Sequence, residues 1–191
     1  MNNRYFLLRH GENVYQVEKK RFIYPLKDSR SVKLTKKGKN QVRKSLKEIK
    51  KENIDLIYSS DFYRTKETAK IASRELNINK INFDKRLRDI NMGVFHGKER
   101  EEYSRFFNYK KRKFSKKPPK GESWSDLKKR MRDFLKNIDK KYKKKKILIV
   151  SHGDPLWILE GIIKGMNNQE LLKEIFTKKT QIKVSELRKV N

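Results

Sequence analysis

The chain of 191 residues contains no cysteine, which excludes disulfides, thiolate nucleophiles and cysteine-bound zinc or iron–sulfur centres. Proline occurs four times and glycine eight times, with no Gly-rich Walker-type loop and no proline-rich linker among them. Acidic residues are scarce as well: 23 Asp plus Glu stand against 52 Lys plus Arg, a formal charge of +29. Long apolar runs are missing. The longest candidate, Pro155 to Ile163, is interrupted by Glu160 and falls far short of the roughly 20 residues of a membrane span. Met1 to Arg9 has no signal-peptide core. These absences predict a soluble cytoplasmic protein with no membrane association, and the length predicts a single domain over residues 1–191.

Mean hydropathy is −1.02, low for a globular protein, yet 10% aromatic residues and several periodic apolar segments supply one core. Lysine outnumbers arginine 37 to 15, and alanine appears only twice. An A/T-rich coding sequence would favour lysine, asparagine and isoleucine. It would favour glutamate equally, so the imbalance keeps a second reading, an anionic partner.

Three short aliphatic runs, each closed by polar residues, read as strands buried on both faces, the pattern of a parallel sheet. Tyr5 to Leu8 leads into Arg9-His10-Gly11, Ile54 to Tyr58 into Ser59-Ser60, and Ile147 to Val150 into Ser151-His152-Gly153. Helical patterns lie between them. Thr35 caps a segment with Val42, Leu46 and Ile49 on one stripe; Asp61 opens another with Ala69, Ala72 and Leu76. Ser123 and Asp126 form a capping-box-like start to the stripe Trp124, Leu127, Met131, Phe134 and Ile138, which reads as core. Pro155 suits the first turn of a helix over Leu156 to Ile163, and the alternation from Gln181 to Leu187 predicts a last, edge strand. Alternating strands and helices predict a three-layer α/β/α sandwich around a mostly parallel sheet. Residues 99–121, with Phe106, Phe107, Tyr109 and Phe114 among many cations, read as a basic, lid-like insertion.

In open parallel sheets, ligands bind beyond the carboxyl ends of the strands. Two of the three histidines, His10 and His152, stand at equivalent strand ends, and Arg64 lies about one turn into the helix after Ser59-Ser60. Two guanidiniums, Arg9 and Arg64, with two imidazoles make an anion site suited to phosphate oxygens. No Asp, Glu and His cluster has metal-ligand spacing, so neither a metal nor another cofactor is predicted.

These residues carry a resemblance. Phe6-Leu7-Leu8-Arg9-His10-Gly11-Glu12 resembles the signature of the histidine phosphatase superfamily, the phosphoglycerate-mutase-like fold. Further segments match in order: Leu34-Thr35-Lys36-Lys37-Gly38, Ser59 to Thr65 with Thr68-Ala69, Leu87-Arg88-Asp89, Pro119 to Ser123, and Val150-Ser151-His152-Gly153. The resemblance implies that His10 is a nucleophile forming a phosphohistidine, and that Arg9, Arg64 and His152 hold the phosphoryl oxygens. Gly11 and Gln16 are added as phosphate contacts, although Gln16 stands where an Asn is frequent. The proton donor, usually Glu, corresponds to Asp89; the bland alternative is a loop carboxylate paired with Arg86 or Arg88, and Asp154 and Glu122 are reserves. His96 replaces a common Glu and is assigned to packing in preference to the pocket.

The implied activity is metal-independent hydrolysis of a small phosphorylated metabolite. The short chain favours a phosphatase over a phosphoglycerate mutase-type phosphoryl transferase. A rival reading is nucleic-acid binding, alone or as an accessory property. Arg105 to Lys120 holds eight cations and no acid, and Lys128 to Lys146 holds eleven against Asp133 and Asp139. Physiological substrate and oligomeric state stay open.

Overall fold

The computed structural model describes the chain except residues 29, 109–112 and 178–180 and the side chain of Phe176; Tyr109 therefore lies outside the described residues. Five strands form one sheet: β1 (Arg4–Arg9), β2 (Leu56–Ser59), β3 (Ile81–Phe83), β4 (Lys146–Ser151) and β5 (Leu187–Lys189), in the order β3-β2-β4-β1-β5. The first four run parallel, and β5 closes the edge antiparallel to β1. The three aliphatic runs occupy the centre because residues apolar on both faces need cover on both sides.

That cover comes from helices α1 (Val14–Glu18), α2 (Lys36–Lys47), α3 (Tyr63–Glu75), α4 (Arg100–Phe107), α5 (Trp124–Lys141), α6 (Gly153–Ile163) and α7 (Asn168–Thr177). Strand alternation divides the core. Tyr5, Leu7, Ile147 and Ile149 face Leu127, Met131, Phe134 and Ile138 of α5 and Leu156 to Leu159 of α6. Phe6, Leu8, Leu148 and Val150 face Val42 and Leu46 of α2 and Ala69 and Ala72 of α3. The result is the three-layer sandwich with a mostly parallel sheet.

The caps follow the sequence closely. Thr35 Oγ1 accepts from Gly38 N at 2.8 Å, and Ser123 and Asp126 complete a reciprocal capping box at the start of α5. Helix α3 differs: it begins at Tyr63, and its N-terminal amide is satisfied from outside by Asp28 Oδ2 at 2.6 Å. Asp61 is diverted into a two-pronged pair with Arg88 at 2.6 Å. The last strand also differs. Residues 181–186 form a turn, with Ser185 in the left-handed region at φ 60°, Glu186 N donating to Lys183 O at 3.0 Å, and pairing only from Leu187. That turn ends the alternation, and Ile182 inserts into the core. Strand β3 and helix α7 are additions that the sequence pattern did not show.

Within the segment 99–121, the described residues include helix α4 and two buried contacts. Tyr103 and Phe107 of α4 are buried against Ile23, and Phe114 packs edge-on to Trp124 at 5.3 Å. Tyr103, Phe107 and Phe114 anchor the described part of this segment.

Candidate active site

Register brings the two histidines together. Strands β1 and β4 are neighbours with Arg9 opposite Ser151, so the next residue on each chain, His10 and His152, leaves the sheet at the same level. Their rings lie 5.3 Å apart, edge to face, and both are buried. His10 Nδ1 contacts Gly11 O at 2.8 Å. A carbonyl can only accept, so Nδ1 carries the proton and Nε2 is left with its lone pair. Burial first, then the charges of Arg64 and Arg9, push the His10 pKa well below the ordinary imidazole value, and the ring is neutral at pH 7. The same causes, with His10 itself as a further neighbour, depress His152.

The cations converge from two elements. Arg9 ends β1; its Nη1 donates to Ile182 O at 2.8 Å, and Gly153 allows the guanidinium to approach, since a Cβ there would sit 3.2 Å from its carbon. Arg64, in the first turn of α3, is 2% exposed and donates from Nη2 to Asp89 Oδ2 at 3.0 Å. The Nε atoms of both arginines and Nδ1 of His152 are buried without a hydrogen-bond partner. Buried donors of this kind are ordinarily satisfied, so their convergence marks a place prepared for an anion. His152 caps the N-terminus of α6, whose dipole adds positive potential.

Asp89 sits at the junction. Its Oδ2 is held by Arg64 and lies 3.7 Å from His152 Nδ1. The pairing expected as an alternative, with Arg86 or Arg88, is not formed, because Arg86 pairs with Asp84 and Arg88 with Asp61. Arg130 fixes the loop by donating to Arg88 O at 2.9 Å and Asp89 O at 3.1 Å. The reserve Glu122 is occupied as the partner of Arg130 and of the Asn91 amide. Asp154 lines the charged cleft beside Arg9; burial raises its pKa, and it accepts from Trp124 Nε1 at 3.3 Å and Gln181 Nε2 at 3.0 Å.

Gly11 differs from its expected place. Its amide donates to Thr68 Oγ1 at 3.1 Å and its carbonyl is engaged by His10, so both of its backbone polar groups are paired within the protein. A Cβ there would lie 2.8 Å from Gly38 O, so the residue also permits α2 to pack closely. Gln16 lines the cleft with Arg9, while its Oε1 accepts from Asn13 Nδ2 at 2.9 Å. His96 is a packing residue: Nδ1 donates to Tyr24 O at 2.9 Å, and Nε2 accepts from Met92 N at 3.1 Å. Three further neighbours complete the site: Ser60 and Phe62 lie within the matching segment Ser59 to Thr65, whereas Tyr24 had no local signal in the sequence. Ser60 Oγ contacts His152 Nε2 at 3.0 Å, the Phe62 ring meets His152 at 5.5 Å, and the Tyr24 ring stacks on Arg64 at 4.1 Å.

Two histidines and two arginines at the carboxyl edge of a parallel sheet define an α/β protein of the phosphoryl-handling class. The chain belongs to the histidine phosphatase superfamily (branch 1), whose family pattern matches residues 5–189. It is 33% identical over 166 residues to the probable phosphoglycerate mutase GpmB of Photorhabdus laumondii, covering 84% of this chain and 74% of that protein. Among solved structures, Bacillus stearothermophilus YhfR is similar at 26% identity and a TM-score of 0.73, over 88% of this chain and 83% of the other. A phosphoserine phosphatase from Entamoeba histolytica shares the fold at 22% identity and a TM-score of 0.75, over 97% and 88%. Among the described residues no group of three or more His, Asp or Glu could hold a metal ion, and no helix is long and apolar enough to cross a membrane.

Proposed function

We propose that this protein is a metal-independent phosphatase that hydrolyses a small phosphomonoester through a phosphohistidine at His10. The observation that carries the reading is the state of His10: neutral, Nδ1–H tied to Gly11 O, and set between Arg9, Arg64 and His152. In the first step the Nε2 lone pair attacks phosphorus and the P–O ester bond breaks. Arg9, Arg64 and His152 take the equatorial oxygens, supplying the fixed positive field that phosphoryl transfer needs.

The leaving oxygen requires a proton, and Asp89 supplies it. In the free protein Arg64 holds this carboxylate. A phosphoryl group that takes Arg64 frees this carboxyl group to face the leaving oxygen. In the second step Asp89, now ionised, removes a proton from water, whose oxygen attacks phosphorus as the P–N bond breaks. Asp89 is 20% exposed, so solvent reaches the base, which favours hydrolysis over transfer to a sequestered acceptor.

The test is phosphate release from p-nitrophenyl phosphate in the presence of EDTA. Wild type turns over; His10→Ala does not, and an acid-labile phosphoenzyme forms only in wild type. Equal turnover by His10→Ala would sink the reading. The relatives named probable phosphoglycerate mutase GpmB favour a second one, phosphoryl transfer between positions of phosphoglycerate. Isomerisation of 3-phosphoglycerate without phosphate release would establish it instead.

A further inference from the structure

The site is flanked by two cavities, one more polar than the other. One, of about 300 Å³, is charged and includes Arg9, Gln16, Arg100, Lys113 and Asp154. The other, of about 320 Å³, reaches Arg64 and is walled by Tyr24, Pro25, Leu26, Phe62, Ile90 and Met92, with Lys85, Arg88, Glu122 and Arg130 also in its lining. Ile23, Tyr24, Asp89 and Met92 line both, so the proposed acid faces either chamber.

Three features of the second chamber point to a ligand. Leu26, at its edge, is 69% exposed, the highest value among the large apolar residues described. Tyr24 and Phe62 offer ring surfaces, stacking on the Arg64 guanidinium at 4.1 and 5.3 Å. In its wall, Asp28 Oδ1 is buried with no hydrogen-bond partner, although Oδ2 is satisfied by the Tyr63 amide. A buried carboxylate oxygen without a donor costs free energy and is paired when a donor arrives. The volume stands at the small end of ligand pockets, roughly 300–1,000 Å³.

We propose that this chamber is the subsite for the alcohol part of the substrate, and that this part is a flat ring carrying an N–H or O–H donor. The ring packs against Tyr24, Leu26 and Met92, its donor meets Asp28, and its ester oxygen lies at Asp89. The proposal rests on the phosphatase reading and narrows it to ring-bearing phosphomonoesters.

Three esters separate the possibilities: O-phospho-L-serine, 1-naphthyl phosphate and 3-indoxyl phosphate, the last a flat bicycle with a ring N–H. Aryl esters have intrinsically better leaving groups, so KM is the quantity to compare. The bicycles are expected to show a KM about 10-fold below that of phosphoserine, with indoxyl phosphate about 5-fold below naphthyl phosphate. Leu26→Asp raises KM for both bicycles by about 5-fold at unchanged kcat, leaves phosphoserine kinetics unaltered, and is rescued by Leu26→Phe. Equal KM for all three esters, or a Leu26→Asp effect shared by phosphoserine, overturns the subsite. If none of the esters releases phosphate, the phosphatase reading fails separately. Indole binding then decides the chamber: methyl shifts at Leu26 and Ile90 support it, and their absence refutes it.

Discussion

Acidification should unfold this protein through its two active-site histidines before its carboxylates matter. Both rings are buried and both pKa values lie well below 6.5, chiefly through desolvation and then through Arg64. In the unfolded chain they regain an ordinary value near 6.5. Below that pH the unfolded state binds two protons that the folded state refuses, so stability falls as pH falls. Each histidine contributes at most about 1.4 kcal/mol per pH unit once the window is entered, so about 4 kcal/mol is the upper bound for the pair between pH 7 and pH 5. A total stability of roughly 5–15 kcal/mol makes that a large fraction. Carboxylates held low in the folded state, such as Asp61 beside Arg88, act in the same direction only at lower pH, near and below their unfolded values. The assay is urea denaturation at half-unit steps from pH 7.5 to 5, comparing wild type with His10→Asn/His152→Asn. The variant should lose most of the slope. An unchanged slope, or imidazole nitrogen shifts showing protonated rings in the folded protein at pH 6, would refute the argument.

Three further outcomes follow from the site and its supports. Asp89→Asn keeps the shape but cannot donate a proton. Its kcat should drop about 10²–10⁴-fold on alkyl phosphates and much less on p-nitrophenyl phosphate, whose leaving group needs no proton; equal losses would remove Asp89 as the acid. Arg64→Lys loses the planar fork, and kcat should fall about 10²–10³-fold in steady-state assays, whereas near-wild-type turnover would contradict its role. Gly38→Ala would set a Cβ 2.1 Å from Glu12 O, so the Gly11–Glu12 backbone must shift. We expect a loss of about 1–3 kcal/mol in urea titration, together with reduced kcat because Gly11 O orients His10.

The linear pattern carried the sheet and the neighbourhood of His10 for a physical reason. Aliphatic runs such as Ile147 to Val150 can be satisfied only by burial on both faces, and the residues that follow them then fall at one edge. Caps at Thr35 and Ser123 were legible because they act within one turn. What tertiary structure alone decided involves partners far apart in the chain. Arg64, not Arg86 or Arg88, holds Asp89, because Asp84 and Asp61 had already taken the latter two. Gly11 became an orienting and packing residue once Thr68 and Gly38 arrived beside it. Tyr24 reached Arg64 from a loop with no periodic signal, and Asp28 capped a helix 35 residues away. The sequence by itself determined the layers, the parallel core and the chemical types gathered at its edge, since these follow from local hydrophobic period and strand ends. Tertiary structure decided which charge neutralises which, which histidine nitrogen is left free, and which residues line the two cavities beside Asp89. Those depend on distances that no spacing along the chain encodes.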